Sequence, residues 1–154
     1  MTVQEQVGNF LEQKRIASVG VSRDEKDFTR TMFKEFQKHG YEVIPVNPNA
    51  AEIDGQRCYA HVQDITPSVG GVLVMTAPTV TEQVVRDCVQ AGVKLVWLHS
   101  GEGVAAVSAE AIKVCKENGI GVVPGFCPYM FLSDVNFFHK IHAFFRKRSP
   151  DYRN

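Results

Sequence analysis

The feature that most constrains this chain is the alternation of short apolar runs with amphipathic segments. The first run, Ile16 to Val21, is continuous and made of small residues, as in a parallel strand covered on both faces. Similar runs follow at 41–46, 71–75, 93–98 and 120–123, and helical spacing fills 2–14, 29–39, 80–91 and 108–118. This pattern predicts an α/β fold: a doubly wound, Rossmann-like parallel sheet of about five strands, with helices on both faces and extra helices at both termini.

Length and composition indicate one domain. The chain has 154 residues, 44% of them hydrophobic, which is enough for one proper core and too few for two ordinary domains. We therefore expect a single unit over 1–154, with its core at about 15–128. The four cysteines, which are widely spaced and form no CxxC pair, are expected to be reduced and mostly buried: Cys58, Cys88, Cys115 and Cys127.

The charge balance excludes two classes of partner. Seventeen basic and seventeen acidic side chains cancel, so no global field recruits nucleic acid or an anionic membrane. No signal-peptide pattern opens the sequence, and no apolar run approaches the ~20 residues that cross a bilayer. A cytoplasmic protein is the expectation.

The C-terminal segment predicts an amphipathic helix at about 132–148. An aromatic stripe on one helical face indicates burial: Phe137, Ile141, Phe144 and Phe145. The stripe packs on the parent domain in the simplest interpretation, and against a second subunit or another protein partner in the alternative. His139 and His142 share the segment, but no third ligand accompanies them, so no metal site is expected.

The candidate ligand site lies at the carboxyl ends of the strands. In doubly wound folds ligands bind beyond those ends, near the point where the strand order reverses. The segments that follow the first four strands are 21–23, 47–49, 76–78 and 99–102.

The loop after the first strand departs from the dinucleotide-binding fingerprint. That fingerprint requires spaced glycines and then an acidic residue after the second strand. Here Gly20 is followed by no further glycine before the helix, and Asn47 stands where the acid is required. Standard NAD recognition is disfavoured on both counts.

The same loop gives a mixed signal for phosphate. The hydroxyl of Ser22 and the first amides of the 29–39 helix favour an anion, with Arg23, Lys26 and Arg30 adding positive charge. Three acids oppose them: Asp24, Glu25 and Asp27. The alternative is an ordinary solvated connection in which Thr29 or Asp27 caps the helix.

An ordered set of motifs covers residues 15–128. They read "IASVGVSRD", "HGYEVIPVNPNAAEIDGQRCYAHVQDI", "GGVLVMTAP", "AGVKLVWLHSG" and "ENGIGVVPGFCP". Together they resemble the CoA-binding domain family, the small Rossmann-like proteins related to the amino-terminal domain of the succinyl-CoA synthetase alpha subunit. The resemblance implies a nucleotide site for coenzyme A or an acyl-CoA.

The resemblance also implies roles for the strand-end segments. Val21, Ser22 and Arg23 would hold the CoA phosphates, 47–49 would face the adenosine, 76–78 would line the cleft along the pantetheine, and 99–101 would close the far side. The full predicted cofactor-binding set is Gly20, Val21, Ser22, Arg23, Arg30, Asn47, Pro48, Asn49, Thr76, Ala77, Pro78, His99, Ser100 and Gly101.

Catalysis is not expected from these residues. His99, Ser100 and Glu102 are close in sequence, but no G-x-S-x-G turn surrounds the serine. Cys127 follows the fifth strand, where a thiol could approach a thioester, although no nearby cation is assured to activate it and a buried structural role is the alternative.

Three functions remain open on the sequence. The first is binding of CoA or an acyl-CoA by a stand-alone module that is non-catalytic by itself. The second is an NAD(P)-dependent oxidoreductase in which Arg23 pairs with a 2′-phosphate. The third is a protein-interaction domain whose nucleotide site has decayed, which would account for the acidic loop.

Overall fold

The computed structural model describes residues 2–101 and 104–132. Its elements in chain order are α1 (Val3–Leu11), β1 (Arg15–Val19), α2 (Phe28–Lys38), β2 (Glu42–Val46), β3 (Glu52–Ile53), β4 (Gln56–Arg57), a 3-10 turn (Val62–Asp64), β5 (Gly71–Val74), α3 (Pro78–Ala91), β6 (Leu95–Leu98), β7 (Ser100–Gly101), β8 (Val104–Ala105), α4 (Ala109–Glu117), β9 (Gly121–Pro124) and α5 (Tyr129–Leu132).

The central sheet has five parallel strands in the order β2-β1-β5-β6-β9. From β1 the chain crosses through α2 to β2 on one side, whereas β5 lies on the other side of β1 and continues outward to β6 and β9. The strand order therefore reverses between β1 and β5. This confirms the Rossmann-like fold and places its topological switch point.

Two apolar layers cover the sheet. On one face α1, α2 and α5 pack against the sheet around fully buried aromatic residues such as Phe10, Phe33 and Trp97. On the other face α3, α4 and the 3-10 turn pack around smaller residues, among them Val74, Val85 and Cys88. Helices therefore lie on both faces, as the nearly continuous apolar strands predicted.

Helix boundaries follow the local capping chemistry. Thr2 and Glu5 form the capping box of α1, and the Asp27 side chain accepts from the backbone N–H of Thr29 at the start of α2. Gly92 ends α3 in the left-handed conformation at φ +74°. The helix predicted through residue 14 stops at Leu11, and α3 begins two residues earlier than predicted because proline is well suited to the first helical turn.

Two short hairpins were not predicted. β3 and β4 are joined by Asp54 and Gly55, whose φ values are +49° and +77°. β7 pairs with β8 directly after β6. The predicted helix at 132–148 lies almost entirely outside the described residues, as does Glu102. Among the described helices none is long and apolar enough to cross a membrane.

Candidate functional site

The segments that follow β1, β2, β5 and β6 begin at one edge of the sheet. The backbone N–H of Gly20 donates to the Val46 carbonyl at 3.0 Å, and that of Met75 donates to the Val19 carbonyl at 2.9 Å. The His99 N–H continues the ladder to the Val74 carbonyl at 3.0 Å. The parallel register thus brings the predicted site segments together where the strands end.

Gly20 brings the first loop close to the end of β5. Its φ is +96°, and a Cβ at this position would lie 2.4 Å from the backbone oxygen of Met75 and 3.1 Å from Cγ2 of Thr76. No side chain larger than hydrogen fits without moving the backbone. The glycine therefore sets the narrow separation of the two segments at the switch point.

The loop 22–29 is held together by its own hydrogen bonds. The Ser22 N–H donates to Oγ1 of Thr29 at 3.0 Å, and Oγ of Ser22 accepts from the Asp24 N–H at 3.0 Å. Asp24 in turn accepts from the Lys26 N–H at 2.9 Å, and Asp27 accepts from the Thr29 N–H at 2.9 Å. Asp24 and Asp27 thus stabilise the backbone of this loop, and Asp27 is the cap of α2, one of the two caps that the alternative interpretation proposed.

Arg30 lies beneath the loop rather than on its surface. It is 3% exposed, and its Nη1 donates to the carbonyls of Ser22 and Arg23, both at 3.3 Å. Its Nη2 pairs with the carboxylate of Asp54 in the β3–β4 hairpin. The guanidinium therefore fixes the loop from behind, whereas the Arg23 side chain is exposed beyond β1.

Asn47 links the first two loops. Its Nδ2 donates to the Val21 carbonyl at 2.9 Å, and its Oδ1 accepts from the Asn49 N–H at 2.8 Å. Val21 itself is fully buried, while Pro48 and Asn49 are exposed beside the site. A side-chain amide thus holds the β1 and β2 segments at a fixed separation.

The start of α3 is less protected than the start of α2. Ala77 is its N-cap and supplies no side-chain hydrogen bond, and Pro78 occupies the first turn. Oγ1 of Thr76 lies 2.8 Å from Oγ1 of Thr81, so the threonine before the helix is bonded to its second turn. The N-terminal amides and the helix dipole here face the switch point without a competing side-chain cap.

A cavity of about 250 Å³ lies at this edge of the sheet. Four predicted site residues line it: Gly20, Asn47, Pro48 and Thr76. Its remaining walls come mainly from valines of β1, β2 and α3 together with the segment 60–62. The arrangement is an apolar slot beside the switch point with few polar groups, as nucleotide and cofactor sites commonly are.

Ten of the fourteen predicted binding residues do not line this cavity, and three of them belong to the segment after β6: His99, Ser100 and Gly101. His99 is fully buried, and its ring contacts that of Phe28 with centroids 5.3 Å apart. Burial lowers the pKa of His99, and the nearby backbone of Val104 offsets part of that shift. Ser100 and Gly101 form β7, whose partner strand is β8.

Sequence reasoning missed one wall of the cavity. Along α3 the positions 80, 83, 84 and 87 face the cavity, and His61 and Val62 face it from the other side. The helical spacing of the α3 positions was visible in the sequence. Their orientation was not, because it depends on how the 3-10 turn packs against α3.

Comparison with known proteins gives consistent results. Residues 14–133 match the CoA binding domain family. The protein YneT of Bacillus subtilis (strain 168) is 32% identical over 115 residues, which are 74% of this chain and 82% of that protein. The alpha subunit of acetate–CoA ligase (ADP-forming) II from Pyrococcus furiosus is 25% identical over 125 residues, which are 77% of this chain and 27% of the subunit.

Solved structures agree with the sequence relatives. A hypothetical protein from Pyrococcus horikoshii OT3 superposes with a TM-score of 0.74 at 31% identity, covering 80% of this chain and 85% of that one. The apo form of the dinucleotide-forming acetyl-coenzyme A synthetase 1 from Ca. Korarchaeum cryptofilum gives 0.65 at 26% identity, covering 75% and 27%. This chain therefore spans only about a quarter of these ligase chains. With its fold, its switch-point cavity and these matches, the chain belongs to the CoA-binding domain family.

Proposed function

We propose that this chain binds coenzyme A or an acyl-CoA at the switch-point cavity, in the cytoplasm, and is not a catalyst by itself. The observation that carries the proposal is the apolar cavity on which Gly20, Asn47 and Thr76 converge. Family membership supports CoA as the ligand, and the related ligases carry CoA in their names.

The end of β2 argues against the oxidoreductase alternative. In NAD-binding folds an acidic residue there binds the ribose hydroxyls. Asn47 occupies the position, and both ends of its amide already bond to the backbone of the two loops. An interaction domain with a decayed site is disfavoured by the open cavity, because a decayed site has no reason to keep one.

Thermal unfolding with added ligands tests the proposal. A ligand that binds only the folded state raises its stability by RT ln(1 + [L]/Kd), or about 2.7 kcal/mol at one hundred times Kd. For a domain of this size that is a rise in Tm of roughly 5–10 °C. We expect the rise with CoA and none with NAD⁺ or NADPH. A rise with NADPH alone would favour the oxidoreductase, and no rise with any of them would favour the interaction domain.

A variant that blocks the cavity tests whether CoA binds there. Val80 lines the cavity and is 49% exposed, so Val80→Trp obstructs the cavity without removing a core side chain. Arg86→Trp is the matched control, because Arg86 is an exposed residue of the same helix, about two turns from its start, and does not line the cavity. We expect the CoA-induced rise to disappear in the first variant and persist in the second. Equal responses from the two variants would show that CoA binds elsewhere.

A second pair of substitutions measures how much the first loop contributes to the affinity for CoA. Ser22→Ala combined with Arg23→Ala removes a hydroxyl and an exposed cation from the first loop, and neither side chain belongs to the core. If the loop holds the CoA phosphates, CoA affinity falls while the Tm of the unliganded protein changes little. Unchanged affinity would remove these two side chains from the proposed site.

A further inference from the structure

The cavity extends along α3 away from the strand ends. Val80 and Asp87 both line it, seven positions apart on one face of the helix. At 1.5 Å per residue this separation is about 10 Å, roughly two helical turns. Asp87 therefore marks the end of the cavity farther from the switch point.

The carboxylate of Asp87 is buried and only partly satisfied. The residue is 8% exposed, and its Oδ1 accepts from Nε2 of Gln83 at 3.1 Å and from Nε2 of Gln63 at 3.3 Å. Its Oδ2 lies 3.8 Å from Nδ1 of His61, which is too long for a hydrogen bond. Within the described part of the chain Oδ2 accepts no hydrogen bond, so one oxygen keeps its acceptor capacity.

These features define the chemistry of a complementary group. An ionised carboxylate only accepts hydrogen bonds, so its partner at this end of the cavity is an N–H or O–H donor. The walls between the switch point and Asp87 include Val46, Val62 and Val84, which suit a flat apolar ring. A planar heterocycle with an exocyclic amino group meets both requirements.

We propose that Asp87 determines base specificity by accepting a hydrogen bond from the 6-amino group of the adenine of bound CoA. The inference rests on the proposed function and adds to it the orientation of the nucleotide. The base occupies the end of the cavity near Asp87, and Asn47 and Pro48 line the cavity nearer the strand ends. The phosphates then lie toward Gly20 and the start of α3.

The first test uses the unmodified protein and two ligands. Calorimetric titration compares CoA with a CoA analogue in which hydrogen replaces the 6-amino group. Loss of a buried hydrogen bond to a charged acceptor weakens binding by roughly tenfold or more. Equal affinities would overturn the inference while leaving CoA binding intact, whereas absence of binding by both ligands would overturn the proposed function.

The second test replaces the acceptor by a donor. In Asp87→Asn the two glutamine amides hold the asparagine oxygen at the Oδ1 position, which places its NH₂ group where Oδ2 stood. A donor then faces the 6-amino group. We expect the affinity for CoA to fall to that for the analogue, so that the ratio of the two affinities approaches one.

Asp64→Asn is the matched control for the loss of charge. Asp64 ends the 3-10 turn, is exposed and does not line the cavity. We expect this variant to have the same ratio of affinities for CoA and for the analogue as the unmodified protein. If Asp87→Asn still binds CoA more tightly than the analogue by the same factor as the unmodified protein, the inference is overturned. If that variant does not fold, the comparison of the two ligands on the unmodified protein still decides.

Discussion

The close approach of Gly20 to β5 predicts a measurable stability difference between two glycines. Gly20→Ala and Gly92→Ala each place a Cβ on a backbone with positive φ, +96° and +74° respectively. The two sites differ in their surroundings. The Cβ at position 20 meets the Met75 carbonyl at 2.4 Å, whereas no atom of the described residues lies within 4 Å of the Cβ at position 92.

The expected losses in the free energy of unfolding follow from the positive φ that both positions share and from the close contact that only position 20 makes. Positive φ costs an L-residue about 1–2 kcal/mol, which both variants lose. Overpacking against a group that cannot rotate away adds about 1–3 kcal/mol, and only Gly20→Ala incurs it, because its neighbour is the Met75 backbone. The smaller entropy of an unfolded chain with alanine offsets part of the loss equally in both. We expect Gly20→Ala to unfold at a Tm several degrees lower than Gly92→Ala.

Urea unfolding followed by circular dichroism gives the two free energies of unfolding. Measurement without ligand separates the packing effect from any loss of CoA binding. Equal free energies for the two variants would refute the reasoning, because they would show that the β1 and β5 segments move apart at little cost.

Two further predictions concern the buried side chains of Arg30 and His99. Arg30→Met removes a buried cation that bonds two loop carbonyls and Asp54. Because Asp54 is 30% exposed and water can solvate its charge, we expect a loss of about 1–3 kcal/mol in the free energy of unfolding by urea. An unchanged midpoint would contradict the role of Arg30 in holding the loop. Because burial lowers the pKa of His99, the unfolded chain binds a proton below about pH 6.5 that the folded chain resists, and stability falls as the pH falls. His99→Leu should reduce the steepness of that fall, measured as the free energy of unfolding against pH, and an unaltered slope would show that His99 does not contribute to it.

The parts of the fold that the sequence predicted are those governed by local signals. Continuous apolar runs, the Thr2–Glu5 capping box and Gly92 each act within a few residues, and the structure confirms all three. The β3–β4 hairpin also carried a local signal, because Asp-Gly is a preferred two-residue turn. It was overlooked because its strands have only two residues each and no alternating pattern.

The candidate site was less predictable because its geometry depends on distant pairs. Arg30 looks like a phosphate ligand in the sequence, yet its guanidinium is directed to an acid 24 positions away in another element. Asp87 gives no signal at all, since its importance comes from a cavity formed with residues 60–62.

The acids of the first loop affect which of the two helix starts at this edge of the sheet favours an anion. Asp27 is the N-cap of α2, accepts a hydrogen bond from the backbone N–H of Thr29, the second residue of the helix, and places a negative charge at its positive end, so that helix start already has a side-chain cap. The start of α3 has no side-chain cap, and the helix is 14 residues long. Since both helices begin at the same edge of the sheet, the electrostatic preference for phosphate shifts from α2 toward α3. That is the side on which the cavity lies, so the acids of the first loop do not count against a phosphate-bearing ligand there.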